Sequence, residues 1–78
     1  MDVFIVLIED RHSDPSVEVF RDVTVAIDRA KAVVREYARY PEDIEEGLNG
    51  AMERAGWLYY GKFSCENDSV RVEKKTVK

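Results

Sequence analysis

Clustered carboxylate side chains are the groups in this sequence from which a binding or catalytic site could be built. Residues 41–46, Pro-Glu-Asp-Ile-Glu-Glu, carry four acids at a predicted helix start, where acids complement the helix dipole. Two further acidic segments, at 9–14 and 66–68, lie in predicted turns. A dense group of carboxylates could bind a metal ion or a basic surface on another protein.

Neither a metal site nor a catalytic site is predicted. The D-x-[DN]-x-[DN]-G spacing of a calcium loop is absent. His12 is predicted to be an exposed loop residue, because its neighbours Ser13 and Asp14 do not build a catalytic triad by adjacency alone. Cys65 is the single cysteine, so no disulfide within one chain is expected and the side chain is predicted to be inert. We expect a non-enzymatic protein without cofactor or metal, in a reducing cytoplasm.

Size and charge narrow the class of partner. The 78 residues predict a single domain over 1–78, with 45% apolar and 36% charged residues, as in globular proteins. Sixteen acids against twelve bases give a net charge of −4, which argues against direct contact with a nucleic-acid backbone. The same charge suits a basic protein partner. The apolar run at 3–8 is too short to span a membrane and predicts a strand.

Hydrophobic periodicity predicts an α+β fold with the order ββααββ. Alternating or continuous apolar runs indicate four strands, and apolar residues spaced three or four apart indicate two helices. Asp22 or Thr24 can cap the first helix, and Pro41 suits the first position of the second. The predicted strands cover 3–8, 16–20, 57–65 and 70–77, and the predicted helices cover 22–40 and 41–55. Gly47 and Gly50 either allow close packing of the second helix or mark a break in it.

The strand directions predict that the acidic segments meet. Strands one and three are the most apolar, so we expect the sheet order 2-1-3-4, with a parallel central pair and both helices on one face. The lysines of strand four suit an edge. The loops at 9–16, 40–43 and 66–69 then share one end of the molecule. The residues predicted to bind a partner there are Glu9, Asp10, Asp14, Glu42, Asp43, Glu45, Glu46 and Asp68.

The sheet face without helices offers a second surface. Strands one and three carry apolar residues on both faces, so the open face is expected to keep aromatic and aliphatic surface, a frequent mark of protein interfaces. Substitution of Tyr59 or Tyr60 would test that surface. The alternative function is therefore a cytoplasmic adapter or homodimer that binds through the open sheet face.

Two segments and the general character of the chain carry a resemblance. Glu9-Asp10-Arg11-His12 and Asp68-Ser69-Val70-Arg71-Val72 look like segments of small bacterial and phage proteins. In size and charge the chain resembles the small acidic inhibitors of mobile elements, such as the anti-CRISPR proteins. That resemblance implies a single domain without catalytic residues, which blocks a nucleic-acid site by acidic mimicry or steric cover. We expect an inhibitor that docks on a basic, nucleic-acid-binding protein.

Overall fold

Five β-strands and two α-helices make up the computed structural model, which describes residues 1–10, 14–64 and 68–77. The predicted α+β class is confirmed, but the described part contains a fifth strand. In chain order the elements are β1 (Asp2–Glu9), β2 (Ser16–Phe20), α1 (Val23–Tyr37), a 3-10 turn (Pro41–Asp43), β3 (Glu45–Glu46), α2 (Gly50–Arg54), β4 (Trp57–Lys62) and β5 (Ser69–Thr76).

Helix α1 begins after its N-cap residue, Asp22, and buries an apolar stripe against the sheet. The Asp22 carboxylate accepts hydrogen bonds from the backbone N–H groups of Thr24 and Val25, at 2.8 and 3.2 Å. The helix ends earlier than predicted, because Ala38 is already extended and Tyr40 precedes a proline, which disfavours helical backbone. Its buried face consists of Ala26, Ala30, Val33 and Val34.

The second helix is present but much shorter than the predicted 41–55, and the alternative of a break at the glycines is the one that occurs. Residues 41–46 form one 3-10 turn followed by β3, and only Gly50–Arg54 is α-helical. Gly47 has a φ of +148°, a conformation that ends any continuous helix through this region. Asn49 then caps α2 by accepting a hydrogen bond from the Met52 N–H at 2.8 Å. The acids at 41–46 therefore do not complement an α-helix dipole.

The predicted sheet order is also wrong. The observed order is β2-β1-β5-β4-β3, with every pair antiparallel, so the C-terminal strand is central. Strand β5 pairs with β1 over eight residues and bears Val70 and Val72, which are fully buried. Its lysines lie at the exposed end of the strand, where Lys74 forms an ion pair with Asp2 at 3.5 Å.

The core lies between α1 and one face of the sheet. On β1 the side chains of Val6 and Ile8 point towards α1, and those of Ile5 and Leu7 point to the opposite face. Gly61 of β4 allows the helix to approach closely, because a Cβ there would lie 2.5 Å from Val34 Cγ2. The buried core residues are Val6, Ile8, Ala26, Ala30, Val33, Val34, Tyr59, Phe63, Val70 and Val72.

Candidate protein-binding surfaces

Strand pairing brings the acidic segments to one end of the sheet. Glu9 lies opposite Ser69, Lys62 lies opposite the same serine, and Glu45 lies opposite Lys62. The ends of β1, β5, β4 and β3 are therefore level with one another. The 3-10 turn precedes β3 directly, and Asp14 comes two residues before β2, which starts at this end. We call this region the acidic end.

Asp68 belongs to the acidic end but is not exposed. Its side chain is 6% exposed, and the Ser64 hydroxyl donates a hydrogen bond to its Oδ2 atom at 3.0 Å. The Phe63 N–H donates to the Asp68 carbonyl at 2.9 Å. These bonds connect the two ends of the β4–β5 connection. Asp68 thus joins the end of β4 to the start of β5 and is too buried to contact a partner.

Glu46 is held within the fold by a buried tyrosine. The Tyr59 hydroxyl, which lies on the α1 side of the sheet, donates to Glu46 Oε2 at 2.6 Å, and Arg35 Nη2 lies 3.8 Å from Glu46 Oε1. Burial of the phenol, reinforced by the carboxylate, raises the pKa of Tyr59 well above its usual value. Gly61 makes this possible, because a Cβ there would lie 2.7 Å from the Tyr59 oxygen.

Glu9 pairs with an arginine on the open sheet face. Arg71 Nη1 donates to Glu9 Oε1 at 3.2 Å, and Arg71 Nε lies 3.4 Å from Glu73 Oε2. The same guanidinium lies 4.5 Å from the centre of the Trp57 ring, which stacks on Tyr60 at 5.7 Å. The sequence pattern does not predict a role for this arginine, because the contacts require β5 to lie between β1 and β4.

The remaining predicted carboxylates differ in exposure. Asp14, Glu42 and Glu45 are exposed, and Asp43 is half-buried in the 3-10 turn. Asp10 is half-buried and is engaged within the fold. The turn acid at position 66, His12 and Cys65 lie outside the described residues. The exposed part of the acidic end is therefore smaller than the predicted one.

A recess of about 280 Å³ opens beside the acidic end, along β3 and α2. One wall carries the exposed Glu45, while Leu48, Met52 and Tyr60 contribute apolar surface. Such a combination can hold the aliphatic stem of a lysine or arginine and meet its charge with a carboxylate. The full lining consists of Glu45, Glu46, Gly47, Leu48, Asn49, Met52 and Tyr60.

The sheet face opposite α1 keeps apolar surface, as the sequence predicted for an open face. Val17 and Val19 of β2 are 58% and 61% exposed, and they lie opposite Leu7 and Ile5 of β1, which are half-buried. These four side chains form a continuous aliphatic patch. The Trp57 stack lies on the same face beyond β5.

The described residues contain neither a group of side chains suited to a metal ion nor a helix suited to a membrane. Within those ranges, no group of three His, Cys, Asp or Glu side chains could hold a metal ion. In the same part of the chain, no helix has the length and apolar character needed to cross a membrane. Comparison with protein-family models, with curated proteins and with solved structures gives no match to this chain.

Proposed function

We propose that this chain is a non-enzymatic, cytoplasmic binding protein that docks its acidic end on a basic, nucleic-acid-binding surface of another protein. The observation that carries the proposal is the recess beside β3. It pairs the exposed carboxylate of Glu45 with apolar walls from Leu48 and Met52. A basic side chain of the partner fits there, with its methylene groups on the apolar walls and its charge at the carboxylate.

The neighbouring charges support the same partner. Glu42 is exposed three residues before Glu45, and the exposed Asp14 lies at the same end of the sheet but near its opposite edge, so this whole end presents negative charge. Exposed carboxylates of this kind attract a surface that otherwise binds phosphates, and they would compete with the nucleic acid for it. Inhibition of the anti-CRISPR kind, by occupying such a surface, is the biological role that we propose.

A pull-down with matched charge variants tests this function. The chain and the triple variant Asp14→Asn/Glu42→Gln/Glu45→Gln are immobilised and exposed to a lysate of the organism that encodes the chain. We expect the unaltered chain to capture a basic nucleic-acid-binding protein that is released by salt and displaced by added DNA or RNA. The triple variant should retain little of it.

The matched control removes three exposed acids elsewhere. Asp2→Asn/Asp22→Asn/Asp28→Asn changes the net charge by the same amount but leaves the acidic end intact, and asparagine at position 22 can still cap α1. We expect this control to capture the partner as well as the unaltered chain does. Equal capture by the two triple variants would contradict a role for the acidic end, whatever protein is bound.

A second candidate function is an adapter that binds a protein through the open sheet face. The exposure of Val17 and Val19 favours it, together with the Trp57–Tyr60 stack on the same face. Trp57→Ala, which removes no residue of the recess lining, would then reduce capture more than the triple charge variant, and added salt would not release the partner.

A further inference from the structure

Strand β2 forms one of the two edges of the sheet. In the described part of the chain, β2 pairs only with β1, so its other edge presents unpaired backbone donors and acceptors. The edge has apolar flanks on both sides. Val17 and Val19 are exposed on the open face, and Val25 of α1 is 50% exposed on the helix side. A strand added here would gain both backbone hydrogen bonds and apolar contacts.

This edge lacks most of the features that protect exposed strands from pairing. Natural edges are commonly made short or bulged, or carry lysine or proline. Strand β2 reads Ser-Val-Glu-Val-Phe and pairs with β1 in continuous register over five residues. The opposite edge differs, because β3 is two residues long and both are glutamates. Of these two edges, the one formed by β2 is therefore suited to receive another strand.

The one charge on β2 is already neutralised. Glu18 points to the helix side, where Arg29 Nε donates to its Oε1 at 3.0 Å and Arg29 Nη2 donates to its Oε2 at 3.1 Å. A charge that points inwards on an edge strand normally opposes pairing, because a neighbour would bury it without a counter-charge. Here the bidentate pair removes that obstacle.

We infer that β2 pairs antiparallel with β2 of a second copy of this chain. The strand is suited to pair with its own copy. When the α1 helices of the two copies lie on the same side of the joined sheet, Val17 of each copy faces Val19 of the other on the open face. Charge favours the same contact. Each chain has a net charge of −4, but the one charge on β2, that of Glu18, is neutralised by Arg29, so two copies meet at this strand without an unpaired acid in it.

The pairing would leave the recess beside β3 free. Strands β2 and β3 lie at opposite edges of the sheet, so the dimer has a continuous ten-stranded sheet with a β3 recess near each outer edge. At about 4.8 Å per strand, the two outer strands are roughly 43 Å apart. The dimer therefore keeps both recesses accessible and would make binding there bivalent.

Sedimentation of the full chain tests the inference. We expect self-association to a dimer between about 1 μM and about 1 mM. Val17→Lys and Val19→Lys each place two lysines in the symmetric contact, and each should weaken the dimer at least about tenfold. Both positions are exposed, so far-UV circular dichroism should show unchanged folding. A chain that stays monomeric at the highest concentration overturns the inference.

Two controls locate the contact. Val77→Lys introduces the same charge at a similarly exposed valine, 49%, beyond the end of β5, and should leave dimerisation unchanged. Tyr60→Ala alters the open face away from the edge and should also leave it unchanged. Hydrogen exchange should slow at the amides of Ser16–Phe20 as concentration rises. A dimer that is weakened by Tyr60→Ala and not by the β2 variants, or that protects other amides instead, overturns the edge contact.

Discussion

Replacement of Gly61 by alanine should destabilise the protein, because the added methyl group has no room between β4 and α1. The new Cβ would lie 2.5 Å from Val34 Cγ2 and 2.7 Å from the Tyr59 oxygen. Carbon atoms in contact normally lie about 3.5–4.0 Å apart, so α1 and β4 must separate by about 1 Å. Rotation cannot relieve the first contact, because Val34 is fully buried and a helical valine strongly prefers one rotamer. Tyr59 cannot move away freely either, because its hydroxyl donates a hydrogen bond to Glu46 at 2.6 Å.

The expected loss in the free energy of unfolding follows from the contacts of the new methyl group with Val34 and Tyr59. Overpacking of a core costs about 1–3 kcal/mol, and two constrained neighbours favour the upper part of that range. Alanine recovers about 0.5–1 kcal/mol of backbone entropy relative to glycine in a strand, which leaves a net loss of about 2 kcal/mol. A domain of this length has about 4–12 kcal/mol in total. The melting temperature should therefore fall by about 8–16 °C.

Urea unfolding measures this loss, and two further variants make it specific. Gly50→Ala is the matched control, because its Cβ would meet only the mobile guanidinium of Arg54 at 3.2 Å, and it should be neutral or slightly stabilising. In a Val34→Ala background the first clash is removed, so the cost of Gly61→Ala should shrink by at least about 1 kcal/mol. A loss below about 0.5 kcal/mol, or strict additivity with Val34→Ala, would refute the close-approach explanation.

Three other substitutions have expected outcomes. Asp68→Ala should cost about 1–3 kcal/mol in urea unfolding, because it removes a buried acceptor, whereas the exposed Asp14→Ala should stay within about 0.5 kcal/mol. Tyr59→Phe should cost about 1 kcal/mol at neutral pH. The pKa of Tyr59 is raised in the folded state, so its contribution to the free energy of unfolding is complete below about pH 10 and is lost as the pH rises further. In urea titrations at alkaline pH, the difference in stability between the unaltered protein and Tyr59→Phe should therefore become smaller. Asp22→Ala should lower stability by about 1 kcal/mol and reduce helical circular dichroism, and full retention of both would exclude its capping role.

Local patterns predict the elements better than their arrangement. The first helix and the four longer strands follow from spacing and from the cap at Asp22. The strand order does not follow, because lysines at 74 and 75 suggest edge protection for the whole strand. In the structure they occupy one exposed end, while Val70 and Val72 are fully buried between β1 and β4. Lysines at one end of a strand therefore do not predict whether its other end is paired on both sides.

The candidate site is predictable in position but not in composition. Chain direction places the acidic segments at one end, and the strand register agrees. Sequence alone cannot show that Asp68 is buried, or that the exposed Glu46 and Glu9 bond to side chains of the fold. The bond of Glu46 depends on Tyr59, which reaches it only because no side chain stands at position 61.

The corrected strand order changes where association is expected. If the lysine-bearing strand had been the edge, its charges would have opposed pairing with a neighbour. With β5 in the centre, the edges are instead β2, which is neutral and flanked by valines, and β3, which is short and acidic. The two edges therefore differ in the chemistry that they can recognise. An apolar strand suits β2, and a basic side chain suits the recess beside β3, so the two proposals can be tested independently on one molecule.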